Sequence, residues 1–224
     1  MIQAPVIVVG AGGHAVVVAD ALLAAGRTVL GFVDCDPVKI GQVFLGLPVL
    51  GDDEVLQAHL GRGIELANGI GGLGSVSSAE QGTLRRRVHQ RLSELGWTFA
   101  AVRHPGAVVS TAAELSPGSQ VLAGAVVQPC AQVGVGAIIN SCALVEHHAQ
   151  VGAFAHIAPG AVLCGDVQIG EETHVGAGAV VRQGLHLAAR VVVAAGAAVV
   201  RDVRSGVVAG VPARAKQGRS RSIA

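Results

Sequence analysis

A glycine-rich turn near the N-terminus has residue types that could bind a phosphate group. The segment Gly10-Ala-Gly-Gly-His-Ala15 follows an apolar run and precedes a stretch of helical pattern. Such a turn presents backbone N–H groups and a helix N-terminus to an anion. Asp34 follows 24 residues after Gly10, where its carboxylate could accept a hydrogen bond from a ribose or a base. An ordinary strand–helix turn is the alternative interpretation.

The elements around this turn form a βαβ unit. Apolar residues predict strands over Pro5–Gly10 and Thr28–Val33, and helical spacing predicts a helix over Val16–Ala25. A dinucleotide is a less favoured ligand, because only about 100 residues precede the repeats described next and a full dinucleotide-binding domain usually has six strands. Beyond this unit we expect a strand at Ile64–Ala67, a flexible loop at Asn68–Gly74 and an exposed basic helix at Arg85–Leu95.

Aliphatic residues recur at every sixth position from Val109 to Val199. All sixteen positions in this register are Val, Leu or Ile, and neither the helical nor the strand period fits them. Three such repeats make one triangular coil of about eighteen residues, and successive coils stack parallel strands. The sequence therefore predicts a β-helix whose interior is filled by these side chains.

Two further patterns accompany the repeat. Small residues, mostly alanine, stand four positions after each aliphatic residue from Ala113 to Ala161, where they would let the chain turn a corner without collision. Glycine directly follows several of the aliphatic residues, at Gly134, Gly152, Gly170 and Gly176. We expect these glycines to supply the backbone angles that tight corners need.

Composition excludes several classes of function. A formal charge of +1 and an aromatic content of 2% argue against nucleic-acid binding. The mean hydropathy is +0.57, yet no apolar stretch approaches the roughly 18 residues of a membrane span. No export signal is evident. The cysteines show no metal-like spacing, so we expect a cytoplasmic protein with reduced, mostly buried thiols at Cys35, Cys130, Cys142 and Cys164.

Six short motifs occur in one order along the chain: Gly10-Ala-Gly-Gly-His-Ala15, Phe32-Val-Asp34, His104-Pro105, Val145-Glu-His147, Ala155-His-Ile-Ala-Pro-Gly160 and Gly210-Val-Pro-Ala213. Together they resemble the sialic-acid and bacillosamine type of sugar O- and N-acyltransferases, which are hexapeptide-repeat acyltransferases. The resemblance covers nearly the whole chain. It implies a small Rossmann-like α/β domain for a nucleotide sugar over residues 1–100, a left-handed parallel β-helix over 101–213, and a basic tail over 214–224.

The resemblance also implies an activity, namely acetyl-CoA-dependent N-acetylation of a nucleotide-linked 4-amino sugar. It further implies direct transfer, without a covalent enzyme intermediate or a metal, by a homotrimer with active sites between subunits. A neutral imidazole can accept the amine proton. His147 matches the family's general base, with Glu146 and His148 beside it. His148 is a departure, because many relatives have an acidic residue there that orients the imidazole.

The same resemblance assigns the binding residues. It implies that the nucleotide sugar contacts Gly12, Gly13, His14, Asp34, Asp36, Gly71 and Asn140. It implies that acetyl-CoA contacts His156, Gly165, Ala177, Ala195, Val211, Pro212 and Arg214. His174 stands one predicted coil above His156.

Three other functions stay open at this point. O-acetylation of a sugar hydroxyl would use the same fold and base. A metal enzyme of the γ-carbonic anhydrase kind needs three converging histidines, and His147, His148 and His156 lack the spacing for that. A nucleotide-sugar binder without turnover would be consistent with His148 in place of an acid.

The repeat also predicts where the two principal histidines lie. His147 and His156 are nine residues apart, which is half a coil. One chain cannot easily bring both side chains to the same corner of the prism. We therefore expect the histidines to meet across a boundary between subunits.

Overall fold

The computed structural model describes residues 3–72 and 83–215. Its N-terminal part has five strands and three helices. In chain order these are β1 (Val6–Val9), α1 (Gly13–Ala24), β2 (Val29–Val33), β3 (Val43–Phe44), β4 (Leu47–Gly51), α2 (Asp53–His59), β5 (Glu65–Asn68) and α3 (Leu84–Glu94). The strands form one sheet in the order β3-β4-β2-β1-β5, in which only the β3–β4 pair is antiparallel.

The predicted βαβ unit is present because its central strand is apolar on both faces. All four residues of β1 are buried. One face packs against α1 through Ala15, Val18 and Leu22, and the other packs against Leu56 of α2 and Leu92 of α3. Helix α2 begins after Asp52, whose carboxylate accepts a hydrogen bond from the Glu54 amide at 3.0 Å. No helix among the described residues is long and apolar enough to cross a membrane.

The rest of the described chain consists of short strands, nearly all of two residues. They are β6 (Val102–Arg103), β7 (Val108–Val109), β8 (Glu114–Leu115), β9 (Gln120–Val121), β10 (Val126–Val127), β11 (Gln132–Val133), β12 (Ile138–Ile139), β13 (Leu144–Val145), β14 (Gln150–Val151), β15 (His156–Ile157), β16 (Val162–Leu163), β17 (Gln168–Ile169), β18 (His174–Val175), β19 (Val180–Val181), β20 (His186–Leu187), β21 (Val192–Val193), β22 (Ala198–Val199), β23 (Val207–Ala209) and β24 (Arg214–Ala215).

These strands form the three walls of a triangular prism. Wall 1 runs from β6 through every third strand to β21 and continues into β23 and β24, wall 2 runs from β7 to β22, and wall 3 runs from β8 to β20. Partners in neighbouring coils are eighteen residues apart, as in the parallel pair Val127 and Val145. The chain turns from wall 1 to wall 2 at the first corner, from wall 2 to wall 3 at the second, and back to wall 1 at the third.

The predicted six-residue repeat is confirmed. Fourteen of the sixteen aliphatic residues are buried, and Val109 and Leu115 in the first coil are partly buried. The alanines of the second register, from Ala125 to Ala161, are fully buried at the corners. The β-helix therefore has a core of small and aliphatic side chains with no aromatic ring in it.

The predicted role of the corner glycines is wrong. Gly134, Gly152, Gly170 and Gly176 do not have positive φ angles. A Cβ atom on Gly152 would lie 2.7 Å from the backbone nitrogen of Glu171 in the next coil, and the other three are equally crowded by backbone. These glycines are needed because stacked coils approach closely there. Left-handed backbone occurs instead in another six-residue register, from Gly118 to Gly196, which includes His148 and Asp166.

Two predictions about burial are also wrong. Helix α3 is not simply exposed, because Arg85 and His89 are 2% and 6% exposed. The helix packs on the third corner, where Arg85 donates hydrogen bonds to the carbonyl oxygens of Phe154 and Ala155. The cysteines are free but not buried, since Cys164 is half-buried and the other three are exposed. Cys130 and Cys142 occupy left-handed corner positions outside the prism core.

Candidate active site

The glycine turn is open at the start of α1. Gly12 is the residue before the helix, with φ −98° and ψ −177°, and Gly13 is its first residue. A Cβ atom on either glycine would meet nothing within 4 Å. The first amide groups of a helix have no partner within the helix, so this turn offers N–H donors to an anion.

His14 joins this turn to wall 1 of the β-helix. Its Nε2 donates to Oε1 of Gln120 at 2.8 Å, and Nε2 of Gln120 donates to the carbonyl oxygen of Asn68 at 2.6 Å. Gln120 is 1% exposed. Burial is the main cause that lowers the pKa of His14, so the ring is neutral near pH 7.

Asp34 uses its carboxylate to hold its own loop. Its Oδ2 accepts hydrogen bonds from the Ala11 amide at 2.7 Å and from Nζ of Lys39 at 2.9 Å, and its Oδ1 accepts one from the Asp36 amide at 2.9 Å. Burial alone would raise the pKa of Asp34, but the bonds from Lys39 and the two amides hold it below its ordinary value. Oδ1 of Asp36 accepts from the Val38 amide at 3.0 Å.

His156 lies on wall 1, close to the loop that follows β5. Its Nε2 accepts a hydrogen bond from Nδ2 of Asn140 at 3.0 Å, and a Cβ atom on Gly72 would overlap the imidazole. Burial, followed by the His174 and Arg85 charges, lowers the pKa of His156 to about 3. His156 is therefore a neutral hydrogen-bonding group. His174 lies one coil above it, as predicted, with the ring centroids 4.9 Å apart and an angle of 71° between the ring planes.

His147 lies on the second corner, away from His156 on wall 1. It follows β13 at the second corner, and a Cβ atom on Gly165 would be 2.6 Å from its Cε1 and 2.7 Å from its Nε2. The Nε2 edge of the ring therefore rests on the backbone of Gly165. Oε2 of Glu146 accepts a hydrogen bond from the backbone N–H of His147 at 3.2 Å. The ring lines an open cleft of about 290 Å³ together with Gly165, Asp166, Gln183 and Gly184.

The residues predicted for acetyl-CoA are distributed along the prism. Ala177 and Ala195 are exposed on the first corner, one coil apart, and Gly165 is on the second corner. Val211 and Pro212 are exposed beyond the last coil. Arg214 lines a cleft of about 270 Å³ that also contains Arg201 and Arg204.

The structure thus brings one group of predicted residues together and holds another apart. His14, Gly71, Asn140 and His156 lie where the α/β domain meets wall 1 and the first corner, and a Cβ atom on Gly71 would lie 3.2 Å from the His14 Cβ. His147 and Gly165 lie on the second corner, opposite wall 1, as half a coil requires.

Sequence reasoning missed Gln120 and Arg85. Gln120 immediately precedes the inward-facing Val121, and alternation along a strand predicts that it points outward. Its burial depends on the α/β domain that covers wall 1, which no local pattern reveals. Arg85 is held by the third corner, where burial lowers the pKa of its guanidinium to about 10 against the opposing effect of Glu172.

Among residues 3–72 and 83–215, no group of three or more His, Cys, Asp or Glu side chains could hold a metal ion. A six-residue-repeat β-helix with a histidine cleft on one corner, preceded by an α/β domain with an open glycine turn, is the architecture typical of a β-helical acyltransferase with an additional α/β domain.

Comparisons with known proteins agree with that class. The chain matches the family described as the PglD N-terminal domain over residues 5–77 and the bacterial transferase hexapeptide (six repeats) over residues 148–183. A search of curated proteins finds no significant match.

Several solved structures are similar to this chain. PerB from Caulobacter crescentus, in complex with CoA and GDP-perosamine, is 37% identical, with 95% of this chain and 97% of that chain covered and a TM-score of 0.85. The acetyltransferase domain of PglB from Neisseria gonorrhoeae is 35% identical, with 96% and 100% covered and a TM-score of 0.84. WeeI from Acinetobacter baumannii, at 16% identity and a TM-score of 0.60, supports the fold alone. The chain therefore belongs to the hexapeptide-repeat sugar acyltransferases, with their left-handed β-helix, and the resemblance predicted from its motifs is confirmed.

Proposed function

We propose that this protein transfers the acetyl group of acetyl-CoA to the amino group of a nucleotide-linked amino sugar, of the 4-amino-deoxy class. The observation that carries the proposal is the position of the His147 imidazole, whose Nε2 edge rests on Gly165 in an open cleft. PerB, which is 37% identical over almost its whole length, is described in complex with CoA and GDP-perosamine.

In the proposed reaction, His147 acts as the general base. The amine attacks the carbonyl carbon of the acetyl-CoA thioester, so the C–N bond forms first, and the C–S bond breaks when the tetrahedral intermediate collapses. Nε2 of His147 takes the proton that the amine loses and returns it to the departing thiolate. The amide N–H of Gly165 has no hydrogen-bond partner among the described residues. It lies beside the same ring edge, where it can stabilise the developing oxyanion.

For the nucleotide sugar, the amide groups of Gly12 and Gly13 suit the diphosphate. The Asp34 carboxylate already accepts hydrogen bonds from the amides of Ala11 and Asp36 and from Nζ of Lys39. We therefore propose that Asp34 stabilises the conformation of the base-binding loop. We assign Gly71 and Asn140 to the sugar, which would extend from that loop toward the first corner.

For acetyl-CoA, the proposed path follows the corners of the prism. His156, Ala177 and Ala195 lie along wall 1 and the first corner, and Gly165 lies at the thioester. Val211 and Pro212 would contact the adenine. Arg214, with Arg201 and Arg204 around the same cleft, fits the phosphates.

We further propose a homotrimer, in which His147 of one subunit meets the wall 1 site of another. The outward side chains of wall 2 support this. They are apolar in every coil, and they are Val108, Val126, Leu144, Val162, Val180 and Ala198. The corresponding side chains of wall 3 are polar, from Glu114 to His186. Wall 2 separates the corner of His147 from the corner of Asn140, so a subunit packed on it would lie beside both. The cytoplasm, where thiols stay reduced, is the proposed location.

The test is an assay of CoA release with UDP-, dTDP- and GDP-linked 4-amino sugars and their 4-hydroxy counterparts. We expect turnover with at least one amino sugar and a loss of about 10²–10⁴-fold in kcat for His147→Ala. His186→Ala, on the exposed face of wall 3, is the matched control and should keep wild-type turnover. Full activity of His147→Ala with every accepted sugar, or acetylation of hydroxy sugars alone, would contradict the proposal.

A further inference from the structure

The imidazole rings of His147 and His148 are hydrogen-bonded to each other. Their Nδ1 atoms lie 3.1 Å apart, and the ring centroids are 5.4 Å apart with an angle of 82° between the planes. Both rings are exposed at the second corner. The backbone of His148 is left-handed, with φ 59°, which turns its side chain back toward its neighbour.

This contact determines which nitrogen of His147 can act as a base. A bond between two Nδ1 atoms needs one N–H and one lone pair. If His147 donates, its proton is on Nδ1 and its Nε2 lone pair faces Gly165 and the cleft. If His148 donates, the proton of neutral His147 is on Nε2, and the ring cannot take a proton from the amine. A productive His147 therefore needs a neutral His148 that accepts.

No carboxylate takes this place among the described residues. Oε2 of Glu146 accepts the backbone N–H of His147 and is not bonded to its ring. Asp166, one coil above His148, donates its amide to the His147 carbonyl oxygen at 3.0 Å. Within residues 3–72 and 83–215, no ion pair includes either histidine. The charged groups bonded to the backbone around the pair are thus Glu146 and Asp166.

From this geometry we infer that His148 is the positioning residue of the active site: as a neutral ring it accepts the Nδ1–H of His147 and selects the tautomer whose Nε2 is the base. The inference rests on the proposed role of His147. According to this inference, the pair is active only when both imidazole rings are neutral. A protonated His148 has no lone pair to accept with, and it repels a protonated His147.

The first experiment replaces His148 without straining the corner. Glycine suits the left-handed angle and removes the acceptor, whereas asparagine tolerates the angle and keeps an amide oxygen as acceptor. We expect kcat to fall about three- to tenfold in His148→Gly, on the scale of one neutral hydrogen bond, and to recover most of that loss in His148→Asn. Cys130→Gly, the same change one coil below at φ 61°, is the control and should keep wild-type kcat.

The second experiment uses the pH dependence, which a purely structural role would not change. The ratio of wild-type kcat/KM to that of His148→Asn should fall as the pH is lowered, because a protonated His148 cannot accept the Nδ1–H of His147, whereas an asparagine oxygen accepts it at any pH. Protonation of the substrate amine affects both enzymes equally and cancels in the ratio. A ratio that stays constant with pH would overturn the inference.

A third measurement does not depend on turnover. Nitrogen-15 spectra of the histidine rings, with the His147 signals assigned through His147→Gln, report the tautomer directly. Near pH 7.5 we expect the Nδ1–H form of His147 in the wild type and a shift to the Nε2–H form in His148→Gly. If the wild type has the Nδ1–H form but acetylates no sugar, the proposed function fails and the inference on the pair stands. If both proteins have the same tautomer, the inference fails whatever the activity.

Discussion

At the scale of single residues, Gly165 limits where the His147 ring can be. Its missing side chain leaves room for the Cε1–Nε2 edge, which would otherwise be 2.6–2.7 Å from a Cβ atom. Real Cβ atoms do not approach ring atoms that closely, so any larger residue must displace the imidazole. The predicted contact of Gly165 with acetyl-CoA stays a prediction, and the structure adds a second reason for glycine at this position.

Gly165→Ala should therefore damage catalysis more than stability. We expect kcat for amino-sugar acetylation to fall about 10- to 100-fold, because a shift of about 1 Å in a reacting group is enough for a loss of that size. The thermal midpoint should change little, since alanine is present at the equivalent corner positions Ala153 and Ala189.

Gln183→Ala is the control for this prediction, because Gln183 occupies the corner position one coil above Gly165 and lines the same cleft. Its kcat should stay within about threefold of wild type. Equal losses of kcat in the two variants would contradict the prediction, because any change in the cleft, and not only displacement of the His147 ring, would then lower kcat.

At the scale of elements, the spacing between coils determines which residues are tolerated at the corners. Gly170 follows β17, and a Cβ atom there would overlap the backbone of Ala188 and Ala189 in the next coil. Backbone in a stacked coil cannot move without breaking the hydrogen bonds of a wall. Gly178 has φ 64° and open space around it, so its requirement is conformational and not steric.

These two glycines should respond differently to substitution. Gly170→Ala should lower the free energy of unfolding by about 2 kcal/mol or more, as overpacking against an unyielding neighbour does. Gly178→Asn should cost under about 1 kcal/mol, because asparagine tolerates the left-handed conformation. Urea denaturation of both variants checks the difference. A Gly170→Ala protein as stable as the wild type would show that the coils can separate locally.

The α/β domain is held to the β-helix by buried polar groups. Thr83 donates its amide to Oε1 of Glu172 at 2.6 Å, and Arg85 donates to the carbonyl oxygens at the same corner. His14 and Gln120 make a second attachment. These two attachments hold the α/β domain against wall 1, where the loop after β5 lies close to His156.

At the scale of the whole molecule, the three walls have different surroundings. Wall 1 is covered by the α/β domain, and wall 3 has exposed polar side chains. Wall 2 has apolar outward side chains, of which Val108 at 65% and Val180 at 41% are exposed and the others are half-buried. An apolar column of this length is typical of an interface between protein copies.

A charge on wall 2 should disrupt the proposed trimer. Val162→Lys should shift the mass in sedimentation equilibrium from three times 22.4 kDa toward 22.4 kDa, because a desolvated and unpaired ammonium costs several kcal/mol. Gln168→Lys, in the same coil on wall 3, should leave the mass unchanged. If Val162→Lys keeps the wild-type mass, wall 2 is not the interface.

The β-helix, the βαβ unit and the half-coil separation of the two histidines could all be predicted from the amino-acid sequence. These features depend on periodicity and chain order. An aliphatic residue at every sixth position must face the interior, and two residues that are nine positions apart must lie on opposite sides of the prism. The motifs also sufficed to predict the family, which the comparisons confirm.

The surroundings of those residues could not be predicted and became clear from the folded chain. The exposed character assigned to Arg85–Leu95 was wrong because the third corner buries Arg85, and the role of Gly170 was wrong because a coil eighteen residues further on lies against it. Equally, the contact between His147 and His148 depends on a left-handed angle at one corner. Burial, close approach and side-chain direction depend on residues that are distant in the chain. A local sequence pattern therefore predicts the β-helical prism but does not predict which groups contact the side chains at its corners.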